Sequence, residues 1–482
     1  MRVRESIMSA ASTPLLDEYR LDGDGLEVQN PASGDHVATV KDYSVDEVEA
    51  AIAAAKAAMP AWAARTAKDR AGVLRRWFTL IMDHQEDLAQ LVTAECGKPL
   101  AESRGEVAYG ASFVEWFAEE GKRAYGEVIP THNPAARIVV VKQPVGVVSA
   151  ITPWNFPVAM ITRKAAPALA AGCPMIVKPA EATPLSALAI EKLALDAGLP
   201  EGLFKIVTTR EPAKIGEVLT THPDIRKISF TGSTAVGKIL MRQAAGTVKR
   251  TSMELGGNAP FIVFDDADLD KAVAGAIASK YRNAGQTCVC ANRFYVQSGI
   301  YDAFVTKFSE AVAALKVGDG VVDGTDVGPL INSAAMEKVS GLVKSAMNAG
   351  ADAIVGGAPA GIGGNFYQPT VLANTTPDME ISSAEIFGPV APVFKFEDEA
   401  DVIALANSTP YGLAAYFYAR DLGRVWRVAE ALEYGMVGVN EGILSTEVAP
   451  FGGVKESGIG REGARQGLDE YLETKYMLMG GL

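Results

Sequence analysis

VVSAI (147–151), MIVKP (175–179), FKIVTT (204–209) and KISFTG (227–232) are short apolar runs rich in β-branched residues. Helical stretches fall between or after them at 158–171, 185–197 and 235–244. Strand and helix in alternation predict right-handed βαβ units and a parallel, doubly wound α/β sheet, because a parallel connection needs a crossover long enough for a helix. Such sheets bind ligands beyond the carboxyl ends of their strands.

Before this stretch the chain reads as helical packing. Ser44 and Glu47 form a capping-box pattern that opens a helix running to about residue 65. Helical stretches follow over 68–96, stopped by Gly97 and Pro99, and over 102–125, stopped by Gly126. The pattern then changes in ARIVVVKQPVGVVSAITP (136–153), which reads as two strands broken at Pro144 and Gly146. After Glu254 a second alternating series runs from PFIVF (260–264) to MVGVN (436–440), with strands near 293–296 and 416–419, and predicts a second α/β domain. The tail YLETKYMLMGG (471–481) is a strand candidate that, with 137–141, forms an edge for another subunit to cover.

The 482 residues suggest about three domains or two large ones. With 45 basic against 58 acidic residues the formal net charge is −13, which opposes binding to nucleic acid or anionic lipid. No apolar run approaches the ~18 to 20 residues that a bilayer span requires. Cys96, Cys173, Cys288 and Cys290 are too few and too scattered for a disulfide scaffold and suit a reducing compartment. The opening MRVRESIMSAASTPLLDEYR lacks an apolar h-region and carries early acids, so a cytoplasmic chain with a frayed start is expected, Met8 being an alternative initiator.

Five segments carry candidate chemistry. NAGQTCVCANR (283–293) sets Cys288 in a Gly/Gln/Thr turn, where backbone N–H groups stabilise a thiolate or an oxyanion. A buried, inert thiol is the plainer reading. A metal site is disfavoured, since C-x-C supplies two ligands and His36, His84, His132 and His222 lie far away in sequence. In MELGGNAP (253–260), Glu254 at a strand end is either a general base or a solvated carboxylate; in TPWNFP (152–157), Asn155 either presents its amide to an oxyanion or makes an Asx turn. SFTGSTAVG (229–237) offers a helix N-terminus suited to pyrophosphate or a simple Ser/Thr cap, without G-x-G-x-x-G; VKPAEATP (177–184) sets Lys178 and Glu181 at a strand end, as ribose ligands or as an ordinary charge pair.

In this order and at these separations the five segments, with EIFGPV (385–390) and PFGGVKESGIGREG (450–463), resemble the aldehyde dehydrogenase superfamily over essentially the whole chain. The resemblance implies an NAD(P)-binding Rossmann-like domain (1–125 and 147–255), an α/β catalytic domain (256–445) and a small β oligomerisation element (126–146 and 463–482), assembled as a dimer or tetramer. It implies Cys288 as nucleophile, Glu254 as base for deacylation, Asn155 with the Cys288 N–H as oxyanion hole, and Lys164 as a proton-relay member. Thr152, Trp154, Lys178, Glu181, Gly232, Ser233, Glu385 and Phe387 fall on cofactor positions. GQTCVCANR with ITRK (161–164), REG-x-x-x-G-x-x-EYLE and a GGL end is most similar to the succinate-semialdehyde dehydrogenase branch. That similarity implies a carboxylate-bearing aldehyde held by Arg163, Arg282 and Ser445, with Arg163 about two helical turns beyond Asn155. Glutarate semialdehyde or another ω-carboxy aldehyde suits the same anchors, since one methylene is worth only ~1 to 3 kcal/mol of discrimination. Retention of Glu254 disfavours a CoA-acylating enzyme, and retention of both Cys288 and Glu254 disfavours a silent protein on the same fold. A carboxylate at Glu181 implies NAD in preference to NADP, with NADP still accepted. Cys290, one residue from Cys288, is either the partner of a redox disulfide or a packing residue.

Overall fold

The computed structural model describes residues 13–481; the expectations for the opening segment lie outside them. Strand Val147–Ile151 is the centre of a six-stranded sheet, ordered 458–459, 250–254, 225–231, 147–151, 175–178, 204–206. The last five strands are parallel, and Gly458–Ile459 adds an antiparallel edge. Successive βα units wind first one way and then the other from 147–151, so the topological switch point lies between 147–151 and 225–231, where doubly wound sheets open a ligand crevice. The register pairs Ile151 with both Lys178 and Phe230, and Thr231 with Glu254, which lines up the carboxyl ends of four strands.

A second sheet is ordered 352–355, 370–373, 390–396, 291–297, 259–263, 414–418, 436–439, parallel except at its first pair. Its central strands 259–263 and 414–418 are buried at every residue, as expected of parallel strands covered on both faces. Leu255–Asn258 passes directly from the carboxyl edge of the first sheet to the amino edge of the second. Ala259 pairs with Ala291 and Thr370 with Val390. The residues just before these strands, Cys288 and Phe387 among them, therefore share that amino edge. The seam between the two edges holds the site.

Several sequence expectations need correction. The stretch 68–96 is two helices, Ala67–Asp83 and Gln85–Cys96, because His84 leaves helical geometry (φ −101°, ψ 21°) and its ring bonds Asp87 at 2.9 Å. The helix expected over 102–125 is Leu100–Glu120, followed by a 3-10 turn at Gly121–Arg123. The two strands of ARIVVVKQPVGVVSAITP belong to different sheets: Ala136–Pro144 lies between Glu127–Ile129 and Leu472–Gly480 in a three-stranded antiparallel sheet. The expected pairing of the tail with 137–141 is present and longer, from Leu472 with Pro144 to Gly480 with Ala136. The hairpin Leu26–Gln29 with His36–Val40 was not anticipated. The capping box at Ser44 and Glu47 is formed and starts helix Val45–Ala63. Gly97 ends helix Gln85–Cys96 at φ +83°, wedged so that a Cβ would lie 2.6 Å from Pro329.

Helix Ala159–Ala171 is buried along its whole length and runs from the switch point behind the seam. Its first amides are received by a side chain from another helix: Glu106 Oε1 accepts from Val158 N at 2.9 Å and Ala159 N at 3.4 Å. The other Glu106 oxygen is paired with Lys98, both side chains fully buried. A carboxylate at a helix N-terminus, neutralised by an ammonium, keeps a buried charge from standing uncompensated.

Candidate active site

Cys288 is half-buried on the loop between helix Leu269–Tyr281 and strand Ala291–Gln297. The loop enters left-handed space at three consecutive residues, Asn283 (φ 50°), Ala284 (φ 55°) and Gly285 (φ 75°). Only glycine fits the last, since a Cβ would sit 2.1 Å from Gly388 O. Non-glycine residues at positive φ cost energy and persist where surroundings hold them. Here Asn283 N donates to Glu102 Oε2 at 2.8 Å, Asn283 Nδ2 to Asn155 O at 3.1 Å, and Asn155 Nδ2 to Gln286 O at 3.0 Å. Gln286 in turn donates to Pro329 O and accepts from Ile331 N. The asparagine after the central strand of the first sheet and the cysteine loop of the second are thus joined by two amide hydrogen bonds running in opposite directions.

Two cavities, each about 270 Å³, meet at this point and share Cys288 and Met160 in their walls. The first is lined by Glu102, Glu106, Tyr109, Phe156, Arg163, Arg282, Ser445 and Phe451 as well. The second runs along the switch point past Trp154, Asn155, Gly232, Ser233, Gly256, Lys338, Glu385 and Phe387. Of the expected cofactor residues, Trp154, Gly232, Ser233, Glu385 and Phe387 are on its wall, while Thr152, Lys178 and Glu181 stand at the adjoining strand ends. Lys178 is ion-paired with Glu181. Glu385 Oε1 accepts from Gly257 N at 3.0 Å, and a Cβ at Gly256 would meet the other Glu385 oxygen at 2.9 Å. Trp154 and Phe387 meet edge to face at 5.7 Å. Ser233 caps helix Thr234–Ala245, whose N-terminus faces the crevice. An elongated crevice ending on a helix N-terminus at the switch point fits a dinucleotide.

Electrostatics separate the ionisable groups. Burial pushes the Cys288 thiol up to about 12 against the pull of Arg163, so the thiol is protonated at neutral pH in the protein alone. Burial also raises the Glu254 carboxyl well above its ordinary range, with Glu462 adding to the shift against Arg163 and Lys164. Glu254 is 3% exposed and its Oε2 has no hydrogen-bond partner, the setting of a base poised above the usual carboxylate range. For Glu462 the balance reverses: burial works upward, but Arg163 and Lys164 hold the carboxyl below its ordinary value, each guanidinium or ammonium paired to one of its oxygens. Lys164 also donates to Thr231 Oγ1 at 2.7 Å, and it lines neither cavity.

The three expected carboxylate anchors are brought together in the first cavity, but they are not equivalent. The helix bearing Arg163 starts at Ala159, so Arg163 lies on its second turn, closer to Asn155 along the axis than the expected two turns. Its charge is compensated by Glu462 and its guanidinium lies 4.4 Å from the Phe451 ring, while Nη2 has no hydrogen-bond partner. Arg282 stacks over Phe156 at 5.5 Å and takes part in no hydrogen bond or ion pair among the described residues. Tyr109 Oη, beside Arg163 and Ser445, lacks a hydrogen bond of good geometry. Sequence reasoning missed Tyr109, Glu102, Phe156, Phe451 and Glu462. Glu102, Glu106 and Tyr109 follow an i, i+4, i+7 spacing, a polar stripe on a helix read only for its packing. Cys290 is 6% exposed, lines neither cavity and donates to Ser279 O at 2.8 Å; all four cysteines are free. That geometry is the packing alternative for Cys290.

A parallel dinucleotide-type sheet whose switch-point crevice meets a second cavity at Cys288 is the architecture of a dinucleotide-dependent enzyme. The chain belongs to the aldehyde dehydrogenase family, whose model matches residues 20–477. It is 60% identical to an Escherichia coli succinate-semialdehyde dehydrogenase whose name carries NADP(+), over 95% of each chain. It is 57% identical to a Pseudomonas aeruginosa glutarate-semialdehyde dehydrogenase, again over 95% of each. The solved succinate-semialdehyde dehydrogenase of Burkholderia pseudomallei superposes with a TM-score of 0.94 at 57% identity, covering 95% of both chains. The chain is therefore an oxidoreductase acting on aldehydes with NAD(P). Among the described residues no helix is long and apolar enough to cross a membrane.

The raised thiol value has a direct consequence. In the protein without coenzyme, iodoacetamide should label Cys288 slowly at neutral pH, with a rate rising about tenfold per pH unit over the accessible alkaline range. Cys290 should lag throughout, as mass spectrometry of the alkylated peptide would show. Fast, pH-independent labelling of Cys288 would contradict the assignment.

Proposed function

We propose that this enzyme oxidises an ω-carboxy semialdehyde to the dicarboxylate, with succinic semialdehyde as substrate and glutarate semialdehyde as the alternative of one more methylene. The single observation that carries this reading is the unpaired Arg282 guanidinium in the cavity that Cys288 also lines. A planar fork without a counter-ion is a carboxylate receptor, and Cys288 in the wall of the same cavity receives the aldehyde. The two semialdehyde dehydrogenase relatives support the choice of substrate class.

In this reading the Cys288 sulfur, once deprotonated, forms a bond to the carbonyl carbon. The resulting oxyanion receives the second Asn155 Nδ2 proton and the Cys288 N–H, which has no acceptor among the described residues. A nicotinamide dinucleotide bound in the second cavity supplies the hydride acceptor. Glu254 then takes a proton from water, whose oxygen attacks the thioester, and Cys288 leaves as product carboxylate forms. Arg163, Lys164 and Glu462 form a buried trio behind Glu254, and Lys164 serves as its proton-relay member.

The coenzyme is NAD in preference to NADP. Glu181 stands at the carboxyl end of strand Met175–Lys178 with its carboxylate 40% exposed, and a 2′-phosphate there meets like charge. The Escherichia coli relative's name carries NADP(+), and NADP is the accepted second coenzyme. The proposed domains are 1–125 with 147–255, 256–445, and 126–146 with 463–482; the three larger sheets support this division, except that Gly458–Ile459 joins the first sheet from outside these ranges. The strip formed by 127–129, 136–144 and 472–480 exposes Val128, Ile129, Tyr476, Leu478 and Met479, which suits burial in a homo-oligomer, a dimer or tetramer. The free cysteines suit a reducing compartment such as the cytoplasm.

Glu254→Gln should retain a pre-steady-state burst of reduced coenzyme and lose steady-state turnover, whereas Cys288→Ala loses both; normal turnover in Glu254→Gln removes it from the mechanism. Because the raised carboxyl must be ionised to act, steady-state activity should climb with pH through a limb above the ordinary carboxylate range. A kcat/KM panel tests the substrate: Arg282→Ala should cost about 2 to 5 kcal/mol toward succinic semialdehyde and much less toward butyraldehyde. Equal losses would assign Arg282 to structure. For the coenzyme, kcat/KM should favour NAD by at least about tenfold, and Glu181→Ser should move the ratio toward NADP; a wild-type preference for NADP overturns the assignment.

A further inference from the structure

The first cavity holds a second ionisable group that the reaction above does not use. Glu102 and Glu106 project from helix Leu100–Glu120 one turn apart, and both line the cavity. Glu106 is consumed, with Lys98 on one oxygen and the Val158 and Ala159 amides on the other. Glu102 is not: Oε2 accepts from Asn283 N, and Oε1 has no partner among the described residues. The residue preceding Asn283 is Arg282, the unpaired guanidinium of the same wall. A cation without a counter-ion and a carboxyl with a free oxygen thus stand beside one another without forming an ion pair.

We propose that Glu102 is a specificity-determining residue that makes capture of the substrate's distal carboxylate proton-coupled, a neutral Glu102 carboxyl giving its O–H to the carboxylate that Arg282 receives. The proposal rests on the reading of an ω-carboxy substrate. The charged groups facing Glu102 are accounted for. Lys98 is spent on Glu106 and on Asn155 O at 2.7 Å, and Arg163 with Lys164 shares Glu462. Tyr109 and Cys288 complete the ionisable lining, both held protonated at neutral pH by burial. Burial likewise pushes the Glu102 carboxyl above its ordinary range, against Lys98, the Asn283 N–H and Arg282, with the Glu106 carboxylate adding to the rise. An incoming anion favours the protonated form further. The sign follows: between the free and bound titration points binding takes up a proton and affinity falls as pH rises, and above both points two carboxylates face each other and affinity stays at its low limit. A plain aldehyde has no such dependence, so the carboxyl discriminates by charge as well as by shape.

The test uses succinate as the probe and the full-length enzyme. Calorimetric titrations in phosphate and in Tris, at several values between about pH 6 and 9, give the protons taken up from the difference in apparent enthalpy. The expected result is uptake approaching one proton per site and a Kd that weakens toward tenfold per pH unit on the alkaline side. Glu102→Gln keeps an oxygen for the Asn283 N–H and an N–H for the ligand; it should bind with no uptake and a nearly flat pH profile. Glu102→Asp should restore the uptake. Wild-type binding without proton uptake overturns the proposal, and so does unchanged uptake in Glu102→Gln. If succinate fails to bind and butyraldehyde matches succinic semialdehyde in kcat/KM, the substrate reading itself fails and this inference falls with it.

Discussion

Two amide hydrogen bonds, Asn155 to Gln286 and Asn283 to Asn155, lock the carboxyl edge of one sheet to the amino edge of the other. The rest of the site depends on that lock. Asn155 stands on the loop after the central strand of the first sheet, and Cys288 on the loop before a strand of the second, so neither sheet alone contains a complete reaction centre. Their relative position is set to within the tolerance of a hydrogen bond, the tolerance that oxyanion stabilisation demands. The left-handed run at 283–285 is the cost of bending the loop into that lock, and the Glu102 bond to Asn283 is one of the contacts that hold it.

Around the lock, charge is handled by compensation. Lys98 and Glu106 neutralise one another while each also fixes backbone, the first at Asn155 O and the second at the start of helix Ala159–Ala171. Arg163 and Lys164, consecutive on that helix, converge on the single carboxylate of Glu462. Burial, with the charge of Glu462, raises the proton affinity of Glu254, which has no hydrogen-bonded cation, while Arg163 and Lys164 lower that of Glu462. Two carboxylates in one buried region are thus driven apart in proton affinity by their neighbours, the arrangement that the base role proposed for Glu254 requires.

The alternation of strand and helix from Val147 to Glu254 made the first sheet legible, because period and crossover length leave few topologies. Cys288, Glu254 and Asn155 were legible as candidates because each lies within three residues of glycine or proline near a strand end, although each admits a plainer reading until the motifs are taken together. The polar face of helix Leu100–Glu120 was not. Nothing in a helix's own sequence tells whether Glu102 faces water or a cavity built by residues 156, 282 and 445. Glu462 lay inside a quoted motif without a role, since its partners Arg163 and Lys164 are about 300 positions away and only the return of the chain through 451–462 brings them together. The split at His84 was missed because its break depends on a single non-helical residue bonded to Asp87, with no proline or glycine to mark it.

That return has a temporal consequence. Phe451, Glu462 and the strand Gly458–Ile459 all come from the final tenth of the chain, and Leu472–Gly480 pairs with a strand laid down more than 300 residues earlier. During synthesis the strand Ala136–Pro144 emerges long before its partner, with its outer hydrogen-bonding edge unmatched, and Arg163 and Lys164 are buried cations still lacking their carboxylate. Contacts of such sequence separation form late, after the local βα units have collapsed. The segment 451–480 therefore adds the edge strand of the dinucleotide sheet and the carboxylate for its buried cations long after the strands it joins, so a chain truncated before it is an incomplete fold.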